Sequence, residues 1–385
     1  MTGGETEGGS TAPGEGFRWA LRVAVVPWLV ARVAVGVALV VGRELVARGQ
    51  VAPGLATRVH QGLLGWDAGW YESIARGGYA GAGHGSLRFF PLVPALTAGL
   101  HLLPGVGVGA ALLVVSNLSA LAGLAVLAAL VRSETGDVAL AGRAAWLAAL
   151  APVAFVLAMG YAEATLLVLA AATFLAVRRG RWWWGALFGL LAGLTRPLGV
   201  LLLVPVAVEA VRAWRAEEGP TGPRRLVPAL ATLAPAAGCG SYLGWVGWRY
   251  HDVLAPLRIQ VEGGHRGTLT DPLQTLAHDA RLLAEGQHLS EALHLPWVLL
   301  ALALTAVCFR RWPASYGALA LATVAVALTA ANLDGFERYA LSAFPLVLAG
   351  ASVTSGPTVE RTVLVVSGVG LVGYALLAFT GIYVP

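Results

Sequence analysis

The chain has 385 residues, of which 57% are hydrophobic and only 12% charged, with a mean hydropathy of +0.72. Soluble domains carry about 25% charged residues, so this composition excludes an ordinary soluble protein and indicates an integral membrane protein. The net charge of +5 comes from arginine alone, since the chain has no lysine. It sits in loops facing a membrane surface and says nothing about nucleic acid.

Residues 1–16 are rich in Gly, Glu, Ser and Thr and read as a disordered cytoplasmic tail. Arg18 and Arg22 then open an apolar run near 17–42, too long for the 7–15-residue apolar core of a signal peptide. It reads as an uncleaved first span. Further apolar runs fall near 107–131, 144–160, 162–178, 182–195, 198–213, 226–248, 295–309, 314–331, 338–353 and 361–381. Together they predict an all-α polytopic membrane protein with about 11 transmembrane helices. No repeat of 20–50 residues is evident, which counts against transporter architectures built from duplicated halves.

Orientation follows arginine placement. Arg132 and Arg143, Arg178 to Arg181, Arg212 to Arg225, Arg310 and Arg311, and Arg361 mark one set of loops as cytoplasmic. The other set holds two long outer segments, 43–106 and 249–294, and tight turns at 160–161, 196–197 and 332–337. All eight histidines fall on this outer side. Residues 182–213 are read as a hairpin at Pro197, because a single kinked helix would put its two Arg-rich ends on opposite sides. Segment 88–103 is read as a juxtamembrane or re-entrant helix; as a full span it would invert everything after it.

The most informative stretch lies in the first outer segment: Trp66-Asp67-Ala68-Gly69-Trp70-Tyr71-Glu72, followed by Arg88-Phe89-Phe90-Pro91. On a helix, Asp67, Tyr71 and Ile74 share a face with Trp70, while Glu72 and Arg76 pair on the opposite face. Aromatic anchors around one acid suit a helix at the membrane interface, with that acid at headgroup height.

With this topology the unusual polar residues gather on the outer side: Asp67, then Tyr161 and Glu163, then Thr195 and Arg196, then Asp334, Glu337, Arg338 and Tyr339. Ionisable residues near the bilayer are costly and mark functional sites. Each has a plainer alternative: a solvated loop acid for Asp67, a helix-start acid for Glu163, an interface arginine for Arg196, and an i, i+4 partner of Asp334 for Arg338. Arg32, near the middle of the first span, is expected to pair with an acid from another helix. The histidines of 249–294 match no compact ligand spacing, and no metal is expected. The chain has no phosphate-binding glycine loop of the kind that holds soluble nucleotides, and no G-x-S-x-G elbow. Cys239 and Cys308 sit in apolar runs at opposite depths, where a disulfide is not expected.

The Trp66-Asp67 motif through Ile74-Ala75 to Gly78-Tyr79 resembles the first luminal loop of the GPI mannosyltransferase II (PIG-V) family. Phe89-Phe90-Pro91-Leu92 with Pro94 fits the same loop. Ser116-Asn117-Leu118, Tyr161-Ala162-Glu163, Thr195-Arg196-Pro197 with Gly199, and Arg338-Tyr339 with Phe344-Pro345 follow in the order found in that family's bacterial members. The resemblance covers roughly 17–350. Val93 stands where members often have Tyr, Ala162 and Ala164 where they often have Ser, and Trp70-Tyr71 where eukaryotic members more often have a His-Phe pair. These departures bear on the acceptor more than on the reaction.

The resemblance implies a single GT-C-like transmembrane domain over 17–385. It implies an inverting glycosyltransferase that moves a hexose, mannose foremost, from a polyprenyl-phosphate donor to an acceptor glycan, glycolipid or protein. Asp67 would be the catalytic acid of the first outer loop. Arg196 or Arg338 would hold the donor phosphate. Trp66, Trp70, Tyr71, Arg88, Tyr161, Glu163, Asp334 and Glu337 complete the candidate substrate-binding set. With arginines available for the phosphate, neither metal nor other cofactor is expected. The all-arginine, Gly- and Ala-rich composition suggests a bacterium, and hence its plasma membrane with the site facing outward. A multi-pass transporter or lipid flippase is the alternative; it predicts polar residues at the bilayer midplane.

Overall fold

The computed structural model describes residues 13–216, 222–261, 270–284, 294–330, 333 and 335–384. Among them the regular structure is helical throughout. Five helices are long and apolar enough to cross a membrane: Gly16–Ala47, Val108–Thr135, Pro197–Arg215, Leu226–Tyr250 and Pro357–Phe379. Shorter apolar helices pack beside them. The protein is an all-helical, membrane-type bundle.

Helix α1 (Pro13–Ala47) begins four residues inside the segment expected to be a disordered tail. Pro13 suits the start of a helix, because its missing N–H has no partner in the first turn anyway. The rest of that expectation, residues 1–12, lies outside the described residues.

The first long connection is itself helical. It carries α2 (Pro53–Gln61), α3 (Asp67–Ala82, kinked at Gly78) and α4 (Leu92–His101). A ten-residue helix is about 15 Å long, half of the roughly 30 Å hydrocarbon core, so α4 is too short to span. α5 is Val108–Thr135.

α6 (Val138–Leu150) starts well before the expected 144 and stops well before 160. Its start is set by Asp137, whose carboxylate accepts from the Leu140 N–H at 2.9 Å as an N-cap. Arg143, assigned to a cytoplasmic loop from sequence, is instead buried within α6. Its Nε donates to the Ala351 carbonyl at 2.8 Å and its Nη1 to Glu360 at 3.0 Å. Charge alone does not separate a loop arginine from one that reaches a carbonyl and a carboxylate on other helices.

α7 (Glu163–Arg178), α8 (Trp182–Gly193), α9 (Leu203–Arg215) and α10 (Leu226–Tyr250) follow. The 182–213 region is broken at Thr195 to Pro197. Arg196 is extended (φ −160°, ψ 158°), and a short 3-10 turn, Pro197–Leu202, leads into α9. A Cβ on Gly199 would lie 2.0 Å from the Ala192 carbonyl oxygen, so the chain doubles back here against its own helix. A Cβ on Gly193 would lie 2.1 Å from the Pro235 carbonyl oxygen, so only glycine lets α8 and α10 approach this closely.

The remaining described helices are α11 (Ala255–Val261), α12 (Pro272–Ala284), α13 (Leu295–Arg311), α14 (Ala314–Leu328), α15 (Phe336–Ser342), α16 (Phe344–Val353) and α17 (Pro357–Phe379). The run expected near 338–353 is thus two helices, divided at Ala343 ahead of Pro345.

Polar side chains collect at the two ends of this bundle. At one end, Arg178 closes α7 by donating to Glu134 at 2.7 Å and to Glu209 at 3.1 Å, and Ser315 donates to Glu209 at 2.6 Å. That knot joins α5, α7, α9 and the start of α14. The other end of α7, about 24 Å away along 16 residues, begins with Glu163 and carries the candidate site.

Candidate functional site

The site is assembled from four parts of the chain. Asp67 is the first residue of α3, Glu163 the first of α7, Arg196 the extended residue between α8 and α9, and Arg338 lies in α15. Both acids therefore sit at helix N-termini, where the backbone N–H groups favour negative charge.

The four side chains form one alternating chain of charge. Arg338 Nη1 donates to Asp67 Oδ2 at 2.8 Å. Arg338 Nε lies 3.4 Å from Glu163 Oε1, and Arg196 Nη1 donates to that same oxygen. Two carboxylates balance two guanidinium groups, which is what allows them to be buried together.

The four are not equally accessible. The side chains of Glu163, Arg338 and Arg196 are 4%, 10% and 11% exposed, whereas Asp67 is 28% exposed. Asp67 is the open end of the chain of charge, and Glu163 is its enclosed centre.

Aromatic rings close the site around the arginines. The Arg338 guanidinium carbon lies 5.6 Å from the Tyr161 ring centre and 5.7 Å from that of Tyr339. Arg196 lies 5.6 Å from Tyr339. Tyr161 is fully buried, and its Oη accepts from the Asp67 backbone N–H at 3.3 Å. Burial raises the Tyr161 phenol above its ordinary value, and the Asp67 carboxylate adds to this, so the ring stays neutral. For Arg196, burial alone would lower the pKa, but the Glu163 carboxylate more than offsets it and the group is held as a cation.

The backbone beneath the acids is pinned by sequence-distant contacts. Trp66 has φ 58°, a conformation L-residues adopt at a cost of about 1–3 kcal/mol. Its Nε1 donates to the Ala378 carbonyl at 3.0 Å, and Arg58 lies 4.2 Å over its ring. The turn that carries Tyr161 is held by the Ser116-Asn117 pair. Ser116 Oγ donates to the Tyr161 carbonyl at 3.1 Å, and Asn117 Nδ2 to the Ala158 carbonyl at 3.1 Å. Arg32 belongs to this support. Its Nε donates to Asn117 Oδ1 at 2.9 Å and its Nη2 to the Leu157 carbonyl at 2.8 Å. It meets an amide and a carbonyl rather than the acid expected from sequence, because neutral acceptors from α5 and the 157–161 turn lie within its reach.

Ala68, Tyr71 and Ile74 are the buried face of α3, and Arg76 donates to Glu72 at 2.6 Å on the outer face. Tyr71 packs edge-on against Phe89 with ring centres 5.1 Å apart, and burial pushes its phenol up. Trp70 stacks on Phe89 at 5.8 Å and stays half-buried. Arg88 lies 5.6 Å over Trp70 and 4.8 Å over Phe89. The extended Phe89 that follows is fastened by Tyr79, whose hydroxyl donates to the Phe89 carbonyl at 2.7 Å.

Of the sequence candidates, Asp67, Tyr161, Glu163, Arg196 and Arg338 thus converge. Trp66, Trp70, Tyr71 and Arg88 border them. Asp334 lies outside the described residues. Glu337 is adjacent in sequence to Arg338 but turns to other partners. Its carboxylate faces His294 Nδ1 at 2.7 Å and accepts from Tyr383 Oη at 3.1 Å. Sequence reasoning singled out neither His294 nor Tyr383 for the site. Nothing near either residue along the chain signals the contact, which is made only in three dimensions. Among the described residues, no three His, Cys, Asp or Glu side chains are grouped as a metal site.

No protein-family model, no curated protein and no solved structure matches this chain.

Proposed function

We propose that this protein is an inverting glycosyltransferase with a GT-C-like arrangement of about eleven spans. It would take a hexose, mannose foremost, from a polyprenyl-phosphate donor at the outer face of the plasma membrane. The observation that carries this reading is the Asp67–Arg338–Glu163–Arg196 chain at one end of an apolar bundle, with Asp67 as its accessible terminus. The ordered motifs that resemble those of the PIG-V family, which contain the same four residues, support the same reading.

The chemistry needs a base and a cation, and these residues offer both. An acceptor hydroxyl oxygen attacks C1 of the sugar from the face opposite the phosphate. Its proton passes to the Asp67 carboxylate. The bond from C1 to the phosphate oxygen breaks, and its electron pair leaves with polyprenyl phosphate. A general base of this kind contributes about 10²–10⁴-fold.

Charge develops on the leaving phosphate, where Arg196 and Arg338 are the available cations. Both are already oriented by Glu163, so little reorganisation is needed. Donor phosphate and Asp67 compete for Arg338, and phosphate binding would release the carboxylate to accept the proton. Glu163 and Tyr161 are too enclosed to meet a sugar and act here as supports. The half-buried Trp70 is the ring better placed than Tyr71 to stack on a sugar face.

A transporter would place ionisable groups at the bilayer midplane. Arg32, near the middle of the first span, is the residue that would suit that reading, but it is held by an amide and by carbonyls, an arrangement that favours a structural role.

The test is transfer from radiolabelled polyprenyl-phosphate mannose to a crude membrane acceptor pool by the purified protein in lipid, with Asp67→Asn alongside. Asp67-dependent transfer supports the reading. Transfer only from another polyprenyl sugar changes the donor. No transfer from any lipid-linked sugar overturns it.

A further inference from the structure

Both halves of the Asp67–Arg338 pair are fastened to one short piece of chain, the last turn of α17 and the residues just after it. On the Asp67 side, Trp66 Nε1 donates to the Ala378 carbonyl in the last turn of α17. On the Arg338 side, Tyr383 Oη donates to Glu337, the residue before Arg338.

The α15 helix that carries Glu337 and Arg338 has seven residues. Two turns have almost no helical stability of their own, so its position is set by what it touches. One side reaches Asp67 and Glu163 through Arg338. The other reaches His294, just before α13, and Tyr383 through Glu337, which is 2% exposed.

Tyr383 is suited to the task. Burial, reinforced by the Glu337 carboxylate, pushes its phenol well up, so it remains a donor. Its ring packs edge-on against Tyr374 at 5.1 Å, and the Tyr374 hydroxyl accepts from Trp297 Nε1 at 2.7 Å. The C-terminal turn is thereby joined to α13 as well as to α15.

We propose that the segment from Ala378 to Tyr383 is a positioning element that sets the distance between Asp67 and Arg338. Tyr383 and Glu337 are its positioning residues, and His294 is their support. As a statement about turnover this rests on the transferase reading above; as a statement about geometry it does not.

The experiment uses the full-length protein in lipid nanodiscs. Tyr383→Phe removes one oxygen and keeps the ring; Glu337→Gln keeps the shape and removes the charge. With polyprenyl-phosphate mannose as donor, each is expected to lower kcat about tenfold to a hundredfold, since misplacing a catalytic group by about 1 Å costs that order. Donor KM should stay within about twofold, and kcat is counted per folded protein by titrating the donor-binding fraction, which separates a positioning effect from a loss of folded enzyme. Unchanged kcat in both variants overturns the proposal.

The second arm needs no turnover. The Tm shifts of Tyr383→Phe, Arg338→Gln and the double variant are compared. The double variant is expected to shift Tm by less than the sum of the single shifts, because the two residues act through one unit. Additive shifts overturn the proposal. A wild-type protein inactive with every lipid-linked sugar sinks the transferase reading, and the Tm comparison then decides the positioning role alone.

Discussion

Asp67 and Arg338 lie 271 positions apart in the chain, yet their side chains meet at 2.8 Å. Asp67 is the more exposed partner and Arg338 the more enclosed, so the pair presents a carboxylate outward over a buried cation. An acid held this way is oriented in advance, which on the proposed transferase reading lowers the entropic cost of reaction.

Replacing Asp67 by Asn keeps the shape and removes the carboxylate proposed as the base. Turnover is expected to fall about 10²–10⁴-fold, with the thermal transition of the purified protein little changed. Product formation from labelled donor checks it; full turnover in the variant removes Asp67 from the mechanism.

Arg196→Ala and Arg338→Ala should each lower kcat by about 10²–10³, as loss of one charge-stabilising donor does elsewhere. Lysine at either position should restore only part, since a guanidinium reaches two partners and an ammonium is a point charge. Donor affinity measured by competition with polyprenyl phosphate gives the complementary result. If both alanine variants bind as tightly as wild type, the phosphate clamp lies elsewhere.

Glu163→Gln leaves two enclosed guanidinium groups without their shared carboxylate. Breaking a buried pair from one side costs about 3–5 kcal/mol. The expected result is a large fall in Tm, partly recovered by adding Arg196→Gln. Recovery reports the pairing itself, because an unrelated defect would simply add.

At the opposite end of the bundle, Glu209→Gln removes the carboxylate that serves Arg178 and Ser315. Stability should drop by a comparable amount, while kcat measured below the transition stays within about twofold. A selective loss of kcat there would show that the far knot feeds into the reaction.

Topology is testable without activity. In a background lacking Cys239 and Cys308, a single cysteine at exposed Ala80 should react with an impermeant maleimide from outside intact cells. One at Gly180, in the turn after α7, should react only after the cells are opened. The reverse pattern would invert the assignment.

Much of the fold was legible in the amino-acid pattern. The runs near 17–42, 107–131, 162–178, 226–248 and 295–309 coincide with α1, α5, α7, α10 and α13 to within a few residues. Each is a long apolar stretch with arginines or turn residues at its ends. One boundary error, the late start expected for α6, arose because a charged residue belongs inside that helix. Arg143 reads as a loop charge until Ala351 and Glu360 are seen to receive it. Arg32 reads as half of an ion pair until Asn117 is seen beside it.

By itself, the sequence determined a polytopic helical protein with unusual charges confined to a few short segments. Hydropathy is a local property, and a buried charge is conspicuous wherever it falls. Only the tertiary structure decided the grouping. It made Glu163 the shared acceptor of two arginines and left Asp67 as the accessible acid. It also turned Glu337 away toward His294 and Tyr383. Those outcomes depend on which helix ends meet, and no spacing along the chain records a contact between residues 271 apart.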